Sequence, residues 1–240
     1  MRPADRPVRQ HPAPRDPARR DNDGAAAQFG AVMAEFEAGR DSQRELRADF
    51  TFEDVPAPKR LAPFSAAMAA TVRRDDADIA WGRLVLLYDP AGQDGWPGNH
   101  RLISYLRAEM EPEIAADPML CQVGWSWLIE ALDARTPGYG APSGTVTRVT
   151  TEGFGGKEDE APVHGFELRA SWSPTSATHS PGRAARARPA APVGEAVLDI
   201  AAHVTAWCDS LAAAAGLPPL ALGTHALSVP GAGQSPRRRR

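Results

Sequence analysis

Residues 101–118 read RLISYLRAEMEPEIAADP, and this stretch decides the fold. Leu102, Leu106, Ala108 and Met110 fall on one side of an extended chain, and Ile103, Tyr105, Arg107, Glu109 and Glu111 fall on the other. That two-residue period is the signature of a strand with one buried face. Pro112 lacks an N–H, so it ends the ladder or starts a short helical turn. Asp117 then stands as a natural N-cap for a helix opened by Pro118, with Leu120, Val123, Trp127, Leu128, Ala131 and Leu132 as its apolar stripe.

Working outward, Phe29, Val32, Met33 and Phe36 recur at helical spacing, which predicts a helix over 25–38 with Gly39 as its stop. Leu46, Ala48, Phe50 and Phe52 alternate as a strand. Residues 65–74 and 79–88 form a hairpin around RRDDAD, and DPAGQDGWPGN (89–99) is a glycine-rich loop. That loop lacks both the Gly-Lys-Ser/Thr ending and the G-x-G-x-x-G spacing of phosphate-binding loops.

Beyond the exit loop TPGYGAPSG, residues 145–154 and 164–172 read as two more strands. Val197, Ile200, Val204, Trp207, Cys208, Leu211 and Ala215 mark a last helix that Gly216 stops. The order is α-ββββ-α-ββ-α. Hairpin-length links give an α+β fold, a mostly antiparallel sheet of five to six strands with about three helices on one face. Residues 25–220 form a single domain. Residues 1–24 and 221–240 are expected as disordered tails, and 174–194 as a flexible insert.

The net charge of −3 is unevenly spread. Residues 1–24 carry +2, 173–194 carry +3 and 221–240 carry +4, which leaves −12 on the remainder. An acidic body argues against nucleic-acid binding on the folded surface and confines any polyanion contact to weak binding by the Arg-rich arms. No run approaches the ~20 apolar residues of a membrane span. The first 24 residues have no apolar core of a secretory signal, so a cytoplasmic location is expected. Two cysteines, Cys121 and Cys208, make neither a disulfide framework nor a metal motif.

Chemistry has few candidates. Glu109 and Glu111, ~7 Å apart if the strand continues that far, and Asp117 form the densest acidic cluster; such a set suits a divalent cation or a shared proton. The competing reading is a solvated strand end, its carboxylates paired with Arg101 and Arg107. No nucleophile elbow and no paired-histidine motif occurs. His203 is explained as a surface partner of Asp199 one turn earlier. The aromatic surplus is the stronger signal. Trp125 and Trp127 cannot both enter one core from the same helix face, so Trp125, Trp127, Trp96, Tyr105 and Arg107 are the candidate binding residues.

The segments RLAPFSAAM, GRLVLLYDPAGQDGW, RLISYLRAEMEPEIAADP, GWSWLIEAL, SGTVTR, ELRASW and HVTAWCDSLAAAAGLPP, in that order, resemble the actinobacterial proteins grouped as domain of unknown function 3000. That family brings no activity, cofactor or catalytic residue to transfer. A gene neighbourhood that often includes a ribonuclease-D-like gene implies a link to RNA metabolism. By topology, with residues 46–52 as an edge addition, the chain is also similar to small secretion-chaperone-like proteins, which bind partners and dimerise through the sheet or middle helix. The expectation is a non-enzymatic, chaperone-like binding module for a protein partner or a second copy. The alternatives are a metal-dependent enzyme using Glu109, Glu111 and Asp117, and an accessory protein in RNA metabolism.

Overall fold

The computed structural model describes residues 17–176 and 198–220. Its elements run α1 (Pro17–Leu46), β1 (Phe50–Asp54), β2 (Phe64–Arg74), β3 (Ala77–Tyr88), β4 (His100–Glu109), α2 (Pro112–Ala116), α3 (Leu120–Arg135), β5 (Tyr139–Thr151), a 3-10 turn (Gly155–Lys157), β6 (Val163–Pro174) and α4 (Ile200–Ala214). The strands form one antiparallel sheet in the order β1-β2-β3-β4-β6-β5, so the α+β reading holds and β1 is the short edge strand. The β2–β3 reversal places Asp75 and Asp76 at φ 48° and 65°. Positive φ at both central residues marks the turn whose twist matches a right-handed hairpin.

The alternation in 101–109 is realised as read. Leu102, Leu106 and Ala108 are buried under the helices, and Tyr105 and Arg107 stand on the opposite face. Met68, Ala70, Val72, Leu84, Leu86, Phe166, Leu168 and Trp172 join them on the inner side. Helix α4 lies across this layer between α1 and α3 and buries Ile200, Val204, Trp207, Cys208 and Leu211. Each large side chain removed from water there contributes about 1.5–3 kcal/mol before ordering costs. Gly216, at φ 66°, ends α4 where a side chain would be strained.

Several expectations give way. Gly39 does not stop α1. The helix runs on to Leu46, and a Cβ at Gly39 would lie 2.9 Å from Val204 Cβ and 3.0 Å from Ala201 Cα, so the glycine permits close crossing of α1 and α4. Because α1 reaches Leu46, the first strand begins at Phe50, and Leu46 is exposed. Helix α1 also extends back to Pro17, into residues assigned to the tail. Tyr139–Ser143, read as exit loop, is the start of β5, which bulges between Gly140 and Ser143. The remaining calls on residues 1–16, 177–194, Val197 and 221–240 lie outside the described residues.

His203 is not a surface residue. It is fully buried, and its Nδ1 accepts the indole N–H of Trp172 at 3.2 Å. Burial lowers its pKa to about 3, with the Gly138 carbonyl opposing that shift. Asp199 instead caps α4 by accepting the Ala202 N–H at 2.9 Å. The three long helices are tied together at one point. Asp209 of α4 accepts from Arg47, just beyond α1, and from Arg135 at the end of α3, the latter at 2.5 Å.

Candidate functional site: the open face of the sheet

The period-2 pattern that buries one side of β3, β4 and β6 turns the other outward, and among the described residues no helix covers that side. Toward one end it carries a small apolar cluster. Ala67, Val85 and Leu87 are buried there by residues of the β1–β2 connection, Val55, Ala57 and Ala62, and by Trp96 from the 89–99 loop. Beyond that cover the face is open, and Trp81, Arg83, Tyr105, Arg107, Glu167 and Arg169 lie on it.

Pairing decides these neighbours. Trp81 stands opposite Arg107 and Arg83 opposite Tyr105, while Tyr105 faces Arg169 and Arg107 faces Glu167 on β6. The Trp81 and Tyr105 rings meet diagonally, centroids 5.7 Å apart and tilted by 59°. The Arg169 guanidinium lies 5.3 Å over the Tyr105 ring and also donates to Glu167 at 3.2 Å. Partial burial, then hydrogen bonding to Glu167, raise the Tyr105 pKa, so the phenol stays protonated at neutral pH. Trp81 remains 36% exposed, a large fraction for an indole in the middle of a sheet.

The face carries Arg83, Arg107 and Arg169 together with Glu53, Glu109 and Glu167. Arg107 is exposed, and among the described residues no carboxylate lies within ion-pair distance of Arg83, Arg101 or Arg107. Arg83 donates to the Pro56 carbonyl, and its Nε is buried with no partner. Arg101, expected to pair with the carboxylates, turns instead to hydroxyls, donating to Ser171 Oγ at 2.7 Å and to Ser143 and Ser173 at 3.4 Å. Two shallow depressions flank the aromatic ridge. One, about 240 Å³, is lined by Pro58, Arg83, Val85, Ile103 and Tyr105. The other, about 260 Å³, lies against Thr71, Asp78, Ile79, Trp81, Arg107 and Glu109.

The binding candidates read from sequence are thus divided. Tyr105 and Arg107 are on the ridge, and Trp96 roofs the adjoining apolar cluster. Trp125 and Trp127 lie on the other side of the sheet, half-buried against the main core. There Trp127 meets the Phe166 ring at 5.4 Å, and Trp125 lies over Gly144, where a Cβ would come within 2.9 Å of it. The large apolar side chain that α3 exposes is Val123, with Met119 just before it. Trp81, Arg83 and Arg169 were not singled out in the sequence. Strand β3 is apolar on both sides through LVLL, so its own pattern does not say which way Trp81 points. Only the register with Tyr105 and Arg107 does.

The carboxylates do not converge. Strand β4 ends at Glu109, and Glu111, at φ −60° and ψ 144°, precedes Pro112 as the N-cap of α2, so the two never share a strand face. Asp117, expected as the N-cap of a helix opened by Pro118, instead closes a turn ahead of α3 by accepting the Met119 N–H at 2.8 Å; α3 begins at Leu120 with Met119 as its N-cap and no side-chain cap. Among the described residues no group of three or more His, Cys, Asp or Glu is arranged to hold a metal ion. Cys208 is fully buried, and burial pushes its thiol pKa far up, so it is no nucleophile at neutral pH.

One layer of helices on one side of an antiparallel sheet, with an open face bearing aromatic and charged side chains on the other, defines the class of protein. The chain belongs to the family described as "Protein of unknown function (DUF3000)", whose model matches residues 26–224. No curated protein and no solved structure matches it. No helix among the described residues is long and apolar enough to cross a membrane.

Proposed function

We propose that this chain is a binding module that acts by contact and holds a protein partner on the open face of its sheet. The observation that carries this reading is the Trp81–Tyr105 ridge, left in solvent where no described helix covers the sheet, beside Arg83 and Arg107, which have no carboxylate partner among the described residues, and Arg169, which is paired with Glu167. Exposed aromatic and arginine side chains on a rigid platform are the residue types that dominate binding energy when a partner desolvates them. Among the described residues, the titratable side chains of the open face do not gather at one point, which fits recognition better than acid–base chemistry.

A photoreactive amino acid placed at position 81, and separately at position 125, tests this in the cells that make the protein. The module reading predicts a discrete adduct from position 81 that disappears with Arg107→Glu, and none from position 125. An adduct of twice the chain mass identifies the partner as a second copy. No adduct from position 81, or equal adducts from both positions, overturns the assignment of the face.

A further inference from the structure

We propose that Arg101 and the hydroxyls of Ser143, Ser171 and Ser173 bind a phosphate group, free or at the end of a small ester. Arg101 precedes Tyr105 by four residues along β4, ~13 Å at the rise of a strand. The site therefore stands apart from the Trp81–Tyr105 ridge and does not rest on the partner reading.

A buried cation calls for a counter-charge. Arg101 is only 8% exposed, yet no carboxylate among the described residues comes within ion-pair distance of it. Burial lowers its pKa, and no charged neighbour among the described residues offsets that shift. What holds the guanidinium is neutral. Nη2 donates to Ser171 Oγ at 2.7 Å, but to the Ser171 carbonyl at 3.3 Å and to Ser143 Oγ at 3.4 Å, while Nη1 reaches Ser173 Oγ at 3.4 Å. Three of these contacts lie beyond the ~3.2 Å usual for an N–H···O bond. A single short bond to a hydroxyl does not offset the desolvation of a charge.

The hydroxyls select the ligand. A serine oxygen that accepts from a guanidinium still has its own proton to donate. Ser143 and Ser171 stand opposite each other on β5 and β6, their oxygens 3.4 Å apart, and Ser173 continues the row on the same side. Thr175 extends it. Its methyl would lie 3.6 Å from a Cβ at Gly140, the partner of Ser173, and its buried hydroxyl has no partner in the described residues. The arrangement is a fixed cation bordered by O–H donors. A tetrahedral phosphate group can engage the guanidinium fork and still present oxygens to the serines, whereas a planar carboxylate has only two oxygens to share among them. Pro97 of the 89–99 loop packs on Gly140 and covers one side, while Ser143 is exposed and leaves a way in. The −12 of the body opposes this weakly. Surface charges are screened within ~8 Å, but a desolvated guanidinium acts at contact.

The test uses the full chain, with phosphate replacing chloride at constant ionic strength, read by calorimetric titration and by melting temperature. The unaltered chain is expected to bind phosphate saturably, one per chain, and to melt higher as phosphate rises. Arg101→Met is expected to lose both responses and, without phosphate, to melt no lower, because it buries no unpaired charge. Ser143→Ala, at an exposed position, is expected to bind about tenfold more weakly, the loss of one hydrogen bond to a charged group. Acetate is expected to bind at least about tenfold more weakly than phosphate, because it has fewer oxygens for the donors. Phenyl phosphate bound as tightly as phosphate supports an ester as the ligand, and phenyl phosphate bound far more weakly supports the free ion. No saturable binding overturns the inference. So does an equal response in Arg101→Met, which marks an adventitious ion only, together with the general stabilising effect of phosphate on folded chains. Acetate bound as tightly as phosphate overturns it too. Unchanged affinity in Ser143→Ala does the same, and that variant keeps the test decisive if Arg101→Met fails to fold.

Discussion

Replacing Asp209 with Ala removes the one carboxylate on which three helices converge. The Arg47 side chain is 3% exposed and Asp209 17%, so the charge left behind on Arg47 is almost fully desolvated. Arg47 retains Gln43, which accepts from its Nε at 3.1 Å, and the Phe50 ring 5.1 Å away, but nothing that neutralises it. Arg135, at 19%, can rehydrate. Breaking a buried pair by removing one partner costs about 3–5 kcal/mol, and the Arg47 half supplies most of that here. With a urea slope of about 2 kcal/mol/M for a domain of this size, the unfolding midpoint falls by about 1.5–2.5 M at unchanged slope. Replacing Arg47 with Met and Asp209 with Leu together restores a large part of the loss, because an apolar pair of similar volume needs no counterion. A loss below about 1 kcal/mol in Asp209→Ala, or a double variant no more stable than the single, refutes the claim that this carboxylate compensates a buried cation.

The buried histidine sets an acid limit. His203 has a pKa of about 3 in the fold and ~6.5 unfolded, so the unfolded state binds its proton first as pH falls. Its contribution is intact above pH ~6.5 and is lost on the way down to about 3, by up to ~1.4 kcal/mol per pH unit. His100, lowered to about 4 by burial, acts in the same direction. Urea titrations across pH 7 to 4 should show this slope, and His203→Gln should flatten it by one proton; a slope unchanged in that variant removes His203 as its cause. Gly39→Ala should destabilise by about 1–3 kcal/mol although alanine favours helix, because the crossing with α4 has no room for its methyl. A stabilised variant in thermal denaturation would show that the crossing opens freely. Arg107→Glu on the exposed face should change stability by no more than ~0.5 kcal/mol, and a larger loss in the same melts would make that residue structural.

Where the chain alternates with one apolar side, as in 102–109 and 164–172, the strand and its buried face were legible. The α4 stripe with its glycine stop was equally clear. Legibility failed where a residue's reason lies elsewhere in the chain. Gly39 reads as a terminator because glycine is a poor helix former, and only the approach of Val204 and Ala201 explains it within a helix. His203 and Asp199 have the spacing of a surface pair, yet the Trp172 indole claims the histidine and the helix end claims the aspartate. The candidate site was half visible. Tyr105 and Arg107 were on the page as the outward side of β4. Trp81 was hidden because β3 is covered on both sides for part of its length, and Trp125 and Trp127 drew attention by number although their surroundings are core.

Fluorine NMR of the full chain carrying fluorotryptophan at all six tryptophans, recorded in buffer and in clarified extract of its own cells, distinguishes the two sides of the sheet directly. The resonance of Trp81 should shift or broaden beyond the others in extract, while those of Trp125, Trp127, Trp172 and Trp207 keep their positions. Movement of Trp125 and Trp127 with Trp81 unaffected would contradict the account and place the partner on the helical side.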